Sequence, residues 1–314
     1  MSKLFVIGNG FDLAHGLPTS YGCFHNYLRE KYPDADEETP CVPYSSIDHH
    51  GEELWDPTEV AGYLMNLLSR TAKENWSDFE ETLGRLDYDD DFWELPEQID
   101  RDGERNYFRE AYQNEDLASQ LAGCVPQILD LFSEWVETID ISKTRPKASF
   151  QRLINPSQNL FLNFNYTQTL EKLYHVPNVC HIHGTLGEDL LVGHGAGARF
   201  DENHQSRYIG SEYGIELVQE ALRKDTAGAL EKHQAFFQQL SSGLPAVYSY
   251  GFSYGKVDEI YFEEICRIAD TSSTIWYLLN YPADERERDR EHTRIKDTLR
   301  RCGFKGTFST FHCP

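Results

Sequence analysis

The sequence predicts an α/β protein built on a parallel sheet with helices on both faces, and three observations carry that prediction. The chain opens on Leu4–Ile7, four apolar residues in a row, followed at once by Gly8-Asn9-Gly10. A strand, a glycine turn and a helix start in that order are the beginning of a βα unit, with backbone N–H groups free to meet a ligand. The second half alternates short apolar runs at 160–165, 179–183, 247–251 and 274–279 with amphipathic helical patterns, the signature of βαβ units. Between the first strand and the run at 160 the pattern is almost wholly helical, which places a helical insertion at about 22–155 within one domain spanning 1–314.

After the opening turn, residues 21–31 carry Phe24, Tyr27 and Leu28 at helical spacing. Residues 33–58 are polar and acidic and contain Pro33, Pro40, Pro43 and Pro57, so they read as surface loop. Residues 60–68 read as helix, and 76–83 continue in helical register with Trp76, Phe79 and Leu83 on one side. The aspartate-rich tract 87–91 reads as loop, and 108–139 as helix again. A weak strand is expected at 190–193 and a last one at 305–312. Helices are expected at 169–173, 213–240, 258–269 and 285–300. Residues 194–210, with Gly195 and Gly197, read as a mobile loop over the C-terminal edge of the sheet. No internal repeat is present, and the sign-alternating tract 284–290 reads as a solvated helix face.

The charge balance narrows the partners. Fifty-two acidic residues against 29 basic ones leave a formal net charge of −23. Such a chain repels phosphate backbones and anionic lipid, which argues against broad nucleic-acid or membrane binding. The apolar run before Gly8 is too short for a signal peptide, and no run is long enough to span a bilayer. Seven scattered cysteines without C-x-x-C spacing fit reduced thiols in a cytoplasmic protein and argue against a disulfide framework or a structural zinc site.

Three polar clusters fall at strand ends, where open α/β sheets place ligands. The first is Gly8 to His15. The second is Asn163-Phe164-Asn165-Tyr166-Thr167, whose asparagines share one strand face and suit a ribose or an amide. The third is His181-Ile182-His183-Gly184-Thr185. Read alone, each cluster also fits a structural role: asparagines cap helices, and a single histidine is often a satisfied polar residue. A metal at His181 and His183 lacks a nearby carboxylate, since Glu188, Asp189 and His194 reach it only by folding. No metal is therefore expected.

Together these clusters carry a family resemblance. Gly8-Asn9-Gly10-Phe11-Asp12-x-x-His15-Gly16-Leu17-Pro18-Thr19-Ser20-Tyr21 resembles the opening motif of the AbiH family of bacterial phage-abortive-infection proteins. Trp76-Ser77-Asp78-Phe79-Glu80, Phe164-Asn165-Tyr166-Thr167, His183-Gly184-Thr185 and Gly251-Phe252-Ser253-Tyr254-Gly255-x-x-Asp258 resemble its later blocks, so the likeness runs from about residue 4 to residue 280. AbiH is in turn similar, at a distance, to sirtuin-type NAD-binding domains. Gly8, Gly10, Gly16 and Pro18 fall on the sirtuin glycines and proline, Asn165-Tyr166 on the sirtuin asparagine block, His183-Gly184 on its catalytic histidine and glycine, and Gly251-x-Ser253 on its late G-x-S. This chain departs from the sirtuin pattern at Asp12, where sirtuins have a small residue facing the cofactor, at Thr167 for aspartate and Tyr21 for arginine. It also lacks the four zinc cysteines, which argues against deacylation.

The resemblance implies a sirtuin-like, Rossmann-type sheet and a cytoplasmic antiphage effector that binds NAD or a related nucleotide and hydrolyses its nicotinamide–ribose bond. Asn165 and His183 are the catalytic candidates. Gly8, Asn9, Gly10, Phe11, Asp12, His15, Tyr166, Gly251, Ser253 and Asp258 are the cofactor-binding candidates. The expected partners are a nucleotide and either a second copy or a defence-system protein. The rival expectation is a non-catalytic nucleotide sensor or scaffold, which Asp12 and Thr167 favour.

Overall fold

The computed structural model describes residues 2–72, 79–195, 207–281 and 284–313. Trp76, Ser77 and Asp78 of the expected motif, and 196–206 of the expected loop, lie outside these residues. The chain divides into two compact units: residues 1–20, 136–191 and 225–314 form the first, and 21–135 with 192–224 form the second.

The first unit is built on a six-stranded parallel sheet. Its strands are β1 (Leu4–Ile7), β4 (Leu160–Asn163), β5 (Cys180–His181), β6 (Ala246–Tyr250), β7 (Ile275–Leu279) and β8 (Thr307–Phe311). They lie in the order β5-β4-β1-β6-β7-β8. Counting the sheet's own strands along the chain, this is 3-2-1-4-5-6, the doubly wound order of dinucleotide-binding folds. The order reverses direction between β1 and β6, so the ligand crevice of such a sheet opens there.

All four β1 residues are fully buried, as the continuous apolar run of a central parallel strand requires. Leu4 and Val6 enter the core on one face, and Phe5 and Ile7 enter the core on the other. Register aligns Phe5 with Phe161 on β4 and Tyr248 on β6. The rings stack at 5.2 and 5.1 Å, and Tyr277 on β7 adds a fourth ring 4.5 Å from Tyr248. Such aromatic pairs contribute about 0.5–1.5 kcal/mol each beyond burial.

Helices α8 (Ala148–Leu153) and α9 (Thr169–Tyr174) belong to the first unit. The second unit is mainly helical, with α2 (Tyr21–Lys31), α3 (Pro57–Ala72), α4 (Phe79–Leu83), α5 (Asp89–Trp93), α6 (Tyr107–Cys124), α7 (Ile128–Glu137, whose last residues belong to the first unit), α10 (Glu212–Ala221) and a short antiparallel pair, β2 (Ser46–Ile47) and β3 (Glu53–Leu54). Phe24, Phe79, Phe132 and Trp135 pack ring to ring within it. The Lys224 side chain is buried and held by Glu80 at 2.7 Å.

Four local expectations are corrected. The tract 87–91 is not all loop, because α5 begins at Asp89; three aspartates in a first turn favour the positive end of a helix. Residues 190–193 form no strand: the Leu191 N–H donates to the His183 carbonyl instead. Residues 213–240 break into α10, α11 (Thr226–Lys232) and α12 (Gln234–Gln238), with Asp225 capping α11 through a bond from the Gly228 N–H at 2.8 Å. The run at 179–183 keeps only Cys180 and His181 as strand, because Gly184 turns the chain at φ +81°.

Candidate functional site

At the switch point the loop after β1 meets the loop after β6 backbone to backbone. The Gly8 N–H donates to the Tyr250 carbonyl at 3.0 Å and the Gly10 N–H to the Gly251 carbonyl at 2.8 Å. A Cβ on Gly8 would lie 2.6 Å from Phe252 Cα, one on Gly10 2.7 Å from Gly251 Cα, and one on Gly251 2.4 Å from Gly10 C. The close approach that these glycines permit is therefore to one another. Helix α1 (Asn9–Ala14) follows at once, and Asn9 ties down the segment beyond it by donating from Nδ2 to the Thr19 carbonyl at 2.8 Å.

Beside this contact a cavity of about 910 Å³ opens over the C-terminal ends of β6, β7 and β8. Gly10, Gly251 and Ser253 line it, together with Asn280, Arg290 and His312, which the sequence reading did not single out. Asn280 directly follows β7, and its place at a strand end was the available signal.

Asp12, on α1, is buried and does not line that cavity. Thr167 donates its hydroxyl hydrogen to Asp12 Oδ2, and Thr169 Oγ1 stands 2.9 Å from Thr167 Oγ1. Asp12 Oδ1 has no hydrogen-bond partner among the described residues. Burial pushes the Asp12 carboxyl up to about 6, and the hydrogen bond from Thr167, the polar groups of Thr169 and Asn165 and the nearby His181 offset that only in part. Asn165 is also buried, and its Nδ2 donates to the Gly8 carbonyl at 3.1 Å, so it braces the β1 loop. His181 continues the network. Its Nε2 lies 2.7 Å from Glu171 Oε1, and its Nδ1 lies 3.2 Å from the Asn165 carbonyl oxygen and 3.4 Å from the Asn163 amide nitrogen.

The raised Asp12 carboxyl makes a stability prediction. Against an ordinary value of 3.8, a folded value of about 6 costs about 3 kcal/mol once the group is ionised in both states. The cost is absent below about pH 4, grows to about pH 6 and is complete above it. Asp12→Asn removes it, so the variant is expected to be more stable than the parent by up to about 3 kcal/mol at pH 7.5, with no gain at pH 4. Denaturant unfolding at the two pH values checks this.

His183 is 3 % exposed, and neither it nor Asn165 nor Asp258 lines the cavity. Its ring packs among Phe164, Tyr166 and Tyr261. Its Nε2 lies 3.2 Å from Asp258 Oδ1, at ion-pair distance but out of line for a hydrogen bond. Its Nδ1 makes no hydrogen bond among the described residues. A carboxylate behind one ring nitrogen and an uncommitted second nitrogen is the arrangement of an oriented imidazole base.

The remaining candidates are structural in their contacts. Phe11 is fully buried among Phe150, Tyr174 and Tyr250. His15 sits between the Phe11 carbonyl and the Tyr174 hydroxyl, and burial lowers its proton affinity. The Tyr166 hydroxyl donates to the Leu191 carbonyl at 3.3 Å.

The family described as "Bacteriophage abortive infection AbiH" matches residues 4–280. The chain belongs to the AbiH family. No curated protein and no solved structure matches it. The match places this AbiH chain among bacteriophage abortive infection proteins and spans both the glycine contact and the His183–Asp258 pair. Among its described residues no group of three His, Cys, Asp or Glu side chains is placed to hold a metal, and no helix is long and apolar enough to cross a membrane.

Proposed function

We propose that this AbiH chain binds NAD or a related nicotinamide dinucleotide at the C-terminal rim of its sheet and hydrolyses the nicotinamide–ribose bond. The observation that carries the reading is the cavity of about 910 Å³ beside the switch point of a 3-2-1-4-5-6 sheet. Its volume suits a dinucleotide. Arg290 and Lys147 on its wall suit phosphate, and Asn280 and Ser253 suit ribose hydroxyls.

In the reaction the C–N bond breaks with its electron pair going to nicotinamide, and a water oxygen bonds to the ribose carbon. The proton that water loses goes to His183 Nδ1, while Asp258 stabilises the imidazolium; neither lines the cavity, so the ribose has to reach past the contact of the β1 and β6 loops to meet them. The ribose carries positive charge at the transition state, and the buried Asp12 and Asp258 carboxylates, set behind the cavity wall, offset it. Asn165 fixes the loop that carries Asp12.

The sensor reading has its own support. Asp12, Asn165 and His183 are all buried, and the glycine loops are closed on each other. A chain that binds the dinucleotide without turning it over has no need of an exposed base. Incubation with NAD and chromatography of the products decides between them: the enzyme reading expects nicotinamide and ADP-ribose in equal amounts, and the sensor reading expects intact NAD.

A further inference from the structure

Among the described residues, eleven of the thirteen exposed large hydrophobics belong to the helical unit. Six of them gather on two helices and their approach. Tyr107, Phe108 and Tyr112 stand on α6, and Tyr213 and Leu217 on α10, with Ile209 just before it. The two helices touch closely, since Gly210 and Gly214 leave no room for a Cβ against Ala111 and Ala118, and Asn114 donates to the Ile209 carbonyl at 3.0 Å. Phe108 is 82 % and Tyr213 72 % exposed. Isolated apolar residues on a surface are ordinary, but six large exposed ones on two packed helices and their approach mark a contact site.

The charge around the face identifies what it meets. Between Asp87 and Asp116 there are twelve acidic residues and three arginines. Asp102, Glu104, Glu115 and Asp116 make no ion pair among the described residues. This unit already holds its own arginines by the matching chemistry. Arg105 lies 5.3 Å over the Tyr107 ring with Glu110 on its guanidinium, and Arg70 lies 5.9 Å over Tyr63 with Asp91 on its guanidinium. A second copy would bring the same carboxylates against these, and an anionic membrane or nucleic acid would be repelled.

We propose that the α6–α10 face docks a basic protein partner, whose arginine or lysine side chains lie on Tyr107, Phe108, Tyr112 and Tyr213 and pair with the surrounding carboxylates. The surface belongs to the helical unit and does not rest on the nucleotide reading. The test titrates the full chain with a fluorescent, arginine-rich amphipathic peptide and with the same peptide carrying glutamate for arginine. The parent is expected to bind the first saturably and the second not at all. Phe108→Ala/Tyr112→Ala/Tyr213→Ala, three exposed positions that leave the melting temperature unchanged, is expected to weaken binding about tenfold or more. Equal affinity of the triple variant would reduce the attraction to general charge and overturn the proposal, as would absence of binding. Self-association of the parent that the triple variant abolishes in sedimentation would make a second copy the occupant and overturn it equally.

Discussion

Gly251→Ala is expected to destabilise the fold by about 3–5 kcal/mol, whereas Gly16→Ala costs about 1 kcal/mol. The two glycines share a left-handed backbone, φ +67° and +75°, so the conformational penalty of a side chain is similar at both. They differ in what the new methyl meets. At Gly16 nothing lies within 4 Å, while at Gly251 the methyl falls 2.4 Å from Gly10 C and from Phe11 N. Those atoms are backbone of the first turn of α1 and cannot turn aside as a side chain can. Urea unfolding of both variants separates the shared strain from the contact. Equal losses would mean that the loops after β1 and β6 do not press together as the structure has them.

His183→Gln is expected to lower nicotinamide release from NAD about 10²–10⁴-fold with little change in stability. Glutamine retains much of the volume between Phe164 and Tyr261 and keeps an amide to face Asp258, but it takes up no proton at neutral pH. Alanine is the poorer test. It opens a void in a buried aromatic cluster and takes away the ion-pair partner of Asp258, so lost activity would be confounded with lost fold. Turnover and thermal melting are read on the same preparation. A His183→Gln protein as active as the parent would remove the base from this histidine even if NAD is cleaved.

What the sequence showed and what it hid follow from range. Leu4–Ile7 was legible because a central parallel strand buries both faces and leaves no polar position in the run. The glycines after it were legible as a turn, but the loop they press against is 241 positions away from Gly10 in the chain, and a local pattern does not announce it. Asp12 read as a charge facing a ligand. Its burial depends on Thr167 and Thr169, which arrive from the end of β4, and so the network came only with the fold. His183 was found through its glycine turn, yet the Asp258 beside it entered only as one letter of a distant motif. Short-range chemistry misled at Asp89, where an acidic run reads as loop until its place at a helix start is seen.

The central claim is that the cavity beside the switch point takes a nicotinamide dinucleotide, and calorimetric titration with NAD tests it most directly. The comparison is with Ser253→Trp, an exposed wall position whose indole would fill the cavity without entering the core. The parent is expected to bind NAD saturably and to melt at a higher temperature in its presence, and Ser253→Trp is expected to melt as the parent does alone and to bind nothing. A parent that shows neither heat nor a thermal shift, or a tryptophan variant that binds as tightly as the parent, would contradict it.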